Sequence, residues 1–230
     1  ISGAVFHVEH DVPEAGRYHL MLTAMNAAGE SSEPIAVPIW TDDWDWDQAV
    51  IYHAMIDRVA NGDPLNDAFS GASSPTSEWA GGDLAGLTAS LPYLESLGVN
   101  TIWISNPQPA PEAAWPGDCD ATYAGFHGFW PTSNTGVDAR LGTIADLDRF
   151  IETAHDAGMR VIMDWVGNHI HDDHPDAGNT DQFHPQSVCK ATAGNGQSNW
   201  DMIPEECWFT DYLPDWDHSQ PEVIQSVVRT

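Results

Sequence analysis

The chain of 230 residues sets 7 basic against 35 acidic side chains, a formal net charge of −28, and is 42% hydrophobic with 11 tryptophans. That length and apolar content supply a sizeable core and exclude a disordered chain. A field of this sign disfavours nucleic acid and anionic lipid as partners, and it reads either as a solvated, salt-adapted surface or as carboxylates gathered around cations.

No run of 18 apolar residues is present, so no membrane span is expected. The opening ISGAVFHVEH has neither the basic nor the apolar region of a signal peptide and reads as the interior of a longer protein. Three cysteines are too few for a disulfide framework. Cys189 and Cys207 bracket a Gly/Ser/Asn-rich loop and could pair in an exported protein, leaving Cys119 odd; free buried thiols are the other reading.

In chain order, Val5 to His10 alternates weakly, whereas Tyr18, Leu20, Leu22 and Ala24 fall on one face of a predicted strand. A turn at Asn26 to Glu30 leads to a second strand, Pro34 to Trp40, and Thr41 to Asp47 has the polarity of a linker. The pattern then changes to strands alternating with helices, which argues for parallel βα units. The first strand is Ala49 to Met55. A helix over Leu84 to Gly98 carries Leu87, Leu91, Leu94 and Leu97 at helical spacing, with Pro92 expected in its first turn. The next strand, Asn100 to Ser105, is the continuous apolar run of a sheet covered on both faces. After a Pro- and Gly-rich excursion, Thr143 can cap a helix with Asp146 at its third position and Ile144, Leu147, Ile151 and Ala154 as its buried stripe. The third strand is Arg160 to Trp165. About forty residues without a sustained period follow, and the aromatic residues Trp200, Trp208 and Phe209 mark them as an ordered insertion. A helix from Pro221 to Val228 comes last, with Ser219 a candidate cap.

Four stretches carry chemistry. Asn61, Asp63, Asn66 and Asp67 lie within seven residues curled by Gly62 and Pro64, and Gly81-Gly82-Asp83 returns before a helix; this is the hard oxygen set that calcium takes, although N-G-D-P alone is also a plain turn. In Phe126-His127-Gly128-Phe129-Trp130 a histidine between aromatic rings can hold a sugar hydroxyl while a ring stacks on the sugar, or can be a satisfied core histidine. Asp164, Asn168 and His169 follow the third strand, and in a parallel barrel would face the mouth. The overlapping His169-x-His171-x-Asp173-His174 also matches a dinuclear zinc signature. The fourth stretch, Asp211 to Asp215, means little alone.

These stretches, in this order, resemble the alpha-amylase family of glycoside hydrolases. DWVGNH at Asp164 to His169 is similar to the family's D-x-x-x-N-H motif, LPDWD at Leu213 to Asp217 to its short motif late in the inserted domain, and FHGFWP to its Y-H-G-Y-W segment. VIYHAMIDRVANGDPLND with GGDLAGL resembles the first strand and calcium loop of cyclodextrin glucanotransferases. The resemblance implies an α/β fold: about three βα units of a (β/α)8 barrel over 41–169, an inserted domain over 170–215 and a return helix over 216–230. Residues 1–40 resemble the last strands of a fibronectin III or immunoglobulin-like sandwich.

It further implies that His127 and His169 bind the glucose at the cleavage subsite, that Phe129 stacks on it in place of the usual Tyr, and that Asp164 braces the strands. Tyr212 stands where transglycosylating members carry an aromatic that guides the glucan. Asn168 and Asp215 would hold one calcium, and Asn61, Asp63, Asn66, Asp67, Asp83 and the Gly81 carbonyl a second. The family's nucleophile and general acid have no counterpart in the 230 residues, so the chain is expected to be a segment of a secreted or periplasmic enzyme that acts on α-glucans by a retaining mechanism, needing the remainder of its polypeptide for catalysis. Two other readings are a zinc hydrolase using His169, His171, Asp173 and His174, and a non-catalytic, calcium-stabilised glucan-binding fragment.

Overall fold

The computed structural model describes residues 16–41, 46–117, 120–191 and 196–228. The chain divides into two compact units, 1–49 and 50–230. In the first, β1 (Gly16–Leu22) pairs antiparallel with β2 (Ile35–Thr41), register Gly16 to Thr41 through Leu22 to Ile35. The turn between them closes because Asn26 Oδ1 accepts from the N–H groups of Ala28 and Glu30, while Gly29 takes a φ of +84°. Ala24 lies beyond the end of β1. The weakly alternating stretch Val5 to His10, most of the linker and Cys119 fall outside the described residues.

The second unit is built on a parallel sheet in the order β3 (Ile51–Ala54), β4 (Thr101–Ile104), β7 (Arg160–Met163). Each crossover carries one helix, α1 (Leu84–Ser96) and α2 (Ile144–Asp156), as parallel neighbours require. Leu87, Leu91, Phe150 and Ala154 from the helices join Ile102 and Ile104 in the main core. Among the described residues Trp103 is 40% and Met163 51% exposed, while α1 and α2 meet in a single cluster with Ile102 and Ile104.

Both helix starts obey capping chemistry. Asp83 accepts from the Gly86 N–H at 2.6 Å, and Thr143 and Asp146 form a reciprocal capping box. Both helices end at glycines of positive φ, Gly98 (+81°) and Gly158 (+73°). Three expectations change. Pro92 stands in the third turn of α1, on the exposed side where water can take the carbonyl that lacks a donor. Leu97 and Ile144 are 57% and 56% exposed, since each sits at a helix end beyond the packed stripe, and the buried place in α2 is taken by Phe150. The residue just before α4 (Pro221–Val228) is Gln220 rather than Ser219, whose hydroxyl donates to Asp217.

A small antiparallel pair, β5 (Trp115–Pro116) with β6 (Thr122–Tyr123), interrupts the excursion after β4. Arg140 organises that excursion: its guanidinium pairs with Asp138, stacks over Trp79 and donates to the carbonyls of Ala110 and Pro111. Residues 170–217 contain short 3-10 turns and the four-residue α3 (Asn199–Met202). Their order comes less from Trp200 and Phe209, 53% and 41% exposed, than from the Cys189–Cys207 disulfide and a second core in which Phe183 stacks on Trp216 beside Ile170, Val223 and Val227.

Candidate functional site

A cavity of about 680 Å³ opens beside β5 and β6, and four residues singled out from the sequence line it together: His127, Phe129, His169 and Tyr212. The turn that presents the first two needs Gly128 at φ +81°, where a Cβ would stand 2.5 Å from the Asn106 carbonyl. His127 Nδ1 accepts the Phe129 N–H at 3.0 Å, which fixes its proton on Nε2. His169 Nε2 donates to the Phe129 carbonyl at 2.8 Å. The rings of His127 and Phe129 stack with centroids 5.6 Å apart, while Trp130 meets His127 edge-on at 4.6 Å. Tyr212 is buried, packs against Trp115 and Trp130, and donates its hydroxyl to the Pro116 carbonyl.

Burial holds both cavity histidines neutral. Desolvation pushes His127 down to about 4, helped by His169, and lowers His169 against the contrary effect of its bond to Phe129. A wall of aromatic faces with neutral N–H donors suits a polyhydroxylated, uncharged ring. Asp164 is not among the lining residues; its N–H continues the β4–β7 ladder by donating to the Ile104 carbonyl.

The cation residues form two groups. Asn168 and Asp215 touch directly, the amide donating to the carboxylate, and the Trp216 N–H closes on the Asn168 carbonyl. Burial pushes Asp215 up to about 6, opposed by Asn168 and by the nearby imidazoles of His184 and His218. The second group is the loop from Asn61 to Asp83. Asn61 donates to Asp67, and both crowd Gly81, whose Cβ would stand 2.6 Å from Asp67 Oδ1. Asp83 gathers the N–H groups of Gly62, Asp63 and Gly86. Asn66 Oδ1 is buried without a partner beside hard oxygens of the kind calcium takes, although the Asp83 carboxylate is engaged by backbone N–H groups and, among the described residues, no three carboxylates gather as ligands.

The zinc arrangement is not formed. His169 Nε2 is committed to Phe129, the Nδ1 atoms of His171 and His174 accept the N–H groups of Asp173 and Asp176, and His171 stands edge-on to Trp115 at 4.4 Å. Among the described residues no three His, Cys, Asp or Glu side chains gather as metal ligands.

Sequence reasoning missed the contributions of Trp130, Phe209, Thr210 and Lys190 to the same cavity. It also missed Arg58, which stacks 3.8 Å over Phe126, donates to the Glu78 carbonyl and pairs with buried Asp57, so tying the FHGFW segment to the oxygen-rich loop. The signal for Arg58 was its rarity in so acidic a chain; for Thr210 there was none.

The family model for the alpha amylase catalytic domain matches residues 50–202. The chain belongs to the alpha-amylase family. Its sequence is 32% identical over 185 residues to the periplasmic alpha-amylase of Escherichia coli (strain K12), covering 74% of this chain and 27% of that protein. It is 34% identical over 132 residues to a cyclomaltodextrin glucanotransferase of Klebsiella oxytoca, covering 54% and 19%. The solved Anoxybacillus alpha-amylase superposes with a TM-score of 0.66 at 30% identity, over 81% of this chain and 38% of that one. The chain thus spans about a quarter or less of the length of these curated relatives. As an alpha-amylase family segment, the β3-β4-β7 sheet with its two crossover helices is part of a TIM barrel with parallel strands.

Proposed function

We propose that this chain supplies the sugar-gripping wall of a secreted or periplasmic enzyme that cleaves or transfers α-1,4-glucosidic bonds in starch-type glucans with retention. The observation that carries the reading is the convergence of His127, Phe129 and His169 on one aromatic cavity, with both imidazoles held neutral as hydrogen-bonding groups. His127 Nε2–H donates to a glucose hydroxyl, the Phe129 ring covers an apolar sugar face, and Tyr212 limits the far side. His169 anchors the turn and Asp164 braces the strand that leads to it. The inserted segment 170–215 acts as the domain that closes over the sugar, and residues 1–40 as the end of a β-sandwich module.

Calcium is the proposed structural ion, held by Asn168 and Asp215 at the junction with the inserted segment and by Asn61, Asp63, Asn66, Asp67, Asp83 and the Gly81 carbonyl in the loop. It supplies charge balance there and takes no part in bond breaking.

Retaining cleavage needs two carboxyls about 5 Å apart across the scissile bond. Among the described residues the cavity lining has one carboxylate, Asp211. The chain by itself is therefore expected to bind α-glucan without cleaving it. Tryptophan fluorescence during titration with maltotriose, with a parallel assay for reducing ends, tests this: saturable quenching with no sugar released is expected. Absence of binding in the presence of calcium would overturn it.

A further inference from the structure

The histidine run that does not form a metal site has a different regularity. His171-Asp172-Asp173 and His174-Pro175-Asp176 are tandem H-x-D triplets, and each closes the same turn. The Asp173 N–H donates to His171 Nδ1 at 3.0 Å, and the Asp176 N–H donates to His174 Nδ1 at 3.1 Å. A neutral imidazole that accepts at Nδ1 carries its proton on Nε2, and both Nε2 atoms are buried without a hydrogen-bond partner. The carboxylates of the same two aspartates stand 3.6 Å and 3.8 Å from the two Nδ1 atoms, on half-exposed side chains. The triplets are joined, since the His174 N–H donates to the His171 carbonyl at 2.8 Å. His171 is fully buried against the cavity wall: its ring meets Trp115 edge-on and lies 5.6 Å from Tyr212 and 6.1 Å from Trp130, centroid to centroid. Tyr212 and Trp130 both line the cavity, and the Asp172 N–H donates to the Tyr212 carbonyl.

We propose that the two H-x-D triplets are a proton-operated latch that holds the start of the inserted segment against the cavity wall. The next proton that each imidazole takes from water has one place to go, Nδ1, and there it expels the backbone N–H, because two donors cannot face each other. The carboxylate of the same aspartate then receives the new Nδ1–H, so the partner changes from main chain to side chain within one residue. Both turns lose their closing bond, and the His171 ring beside Tyr212 and Trp130 shifts with them. The closed state is poised for this change, since its two Nε2–H groups are unpaired and gain water on opening. Burial holds His171 down at about 4, opposed by Asp173 and helped by His169, and burial lowers His174 against the pull of Asp176. Asp172, raised by burial and by Asp211 and Asp173, also takes up its proton more readily beside the latch. An opened turn returns each imidazole to its ordinary 6.5. Opening therefore grows as pH falls below that value, by at most about tenfold per pH unit for each histidine. The latch goes beyond the glucan reading and stands without it.

The test follows the wild-type chain, Asp173→Asn and Asp176→Asn by nitrogen-15 NMR and amide hydrogen exchange from pH 7 down to about 3.5, without sugar. At pH 7 both imidazoles should show the Nε2–H tautomer. On acidification the Asp173 and Asp176 amide signals should move with the titration of His171 and His174 and lose exchange protection, while the amides of Leu91 and Phe150 in the main core keep theirs. The indole N–H signals of Trp115 and Trp130 should follow the His171 midpoint. Asp173→Asn should bring the His171 midpoint down by about one pH unit, and Asp176→Asn the His174 midpoint likewise, because each removes the carboxylate that takes the new proton. Three results would each overturn the latch: amides that ignore the histidine titration, midpoints unchanged in both variants, or a core that loses protection at the same pH as the turns.

Discussion

His127 and His169 are wired to opposite poles of one peptide residue: the Phe129 N–H is given to His127 Nδ1, and the Phe129 carbonyl receives the proton of His169 Nε2. The two imidazoles, 42 positions apart in the chain, thereby share a single tautomer and a single anchor. The Phe129 side chain is not needed for that wiring.

Phe129→Ala should therefore keep both histidines in place and remove only the stacking face. An aromatic stack contributes about 0.5–1.5 kcal/mol beyond area burial, so maltotriose should bind about 2- to 13-fold more weakly. Phe129 is 48% exposed, so the melting temperature should hold. Phe129→Tyr should restore affinity, and calorimetric titration reads both.

The histidines also set an acid limit. His127 and His171 are held down at about 4 chiefly by burial, below the ordinary 6.5 of the unfolded chain. Their stabilising effect is complete above pH 6.5 and is lost as pH falls from there toward 4, because the unfolded chain takes up protons that the folded chain refuses. Each can steepen the loss by as much as about 1.4 kcal/mol per pH unit. Asp215, raised to about 6, works the other way below pH 6 and offsets part of it. Urea melts at pH 7.5, 6 and 5 should show falling stability, and His171→Phe, which keeps a ring against Trp115, should flatten the dependence.

Calcium should raise the melting temperature at pH 7, and a chelator should reverse the gain. Saturation at about 100 times Kd corresponds to about 2.7 kcal/mol. Asp215→Asn should remove the share at the Asn168 junction, and Asn66→Ala the share in the loop, where its buried oxygen lacks a partner. Melts with and without calcium that coincide for wild type would refute both assignments.

Reduction should strike the cavity as well as overall stability. The Cys189–Cys207 bridge spans a separation of 18 residues, and closing a loop of that order contributes about 3 kcal/mol. Cys189→Ser with Cys207→Ser, or wild type in dithiothreitol, should melt earlier and bind maltotetraose more weakly, because Lys190 and Phe209 flank the bridge. Differential scanning calorimetry and the same fluorescence titration report the two effects separately.

Much of this was legible before any coordinates. Leu87, Leu91 and Leu94 at helical spacing, the Thr143–Asp146 box and the apolar strands follow from local rules, and the structure returns them within a few residues. The ends of the stripes were less legible, since Leu97 and Ile144 have the right period but lie past the point where the helices touch the core. At the cavity, motif residues could be named, but Lys190 and Thr210 could not, because nothing local announces that an irregular segment held by a disulfide will fold over a distant turn. The histidine run that mimics a zinc site misled for the opposite reason. Spacing is local, whereas the direction of an imidazole is decided by Phe129 and by the turns at Asp173 and Asp176.

Asp83 holds three backbone N–H groups at once, one in the first turn of α1 and two in the loop that precedes it by twenty residues. A Cβ on Gly86 would stand 2.0 Å from the Ala60 carbonyl, so loop and helix lie in contact at that turn. The Asp83 carboxylate thus ties the start of α1 to the loop, so that its loss would uncap the helix and release the loop together.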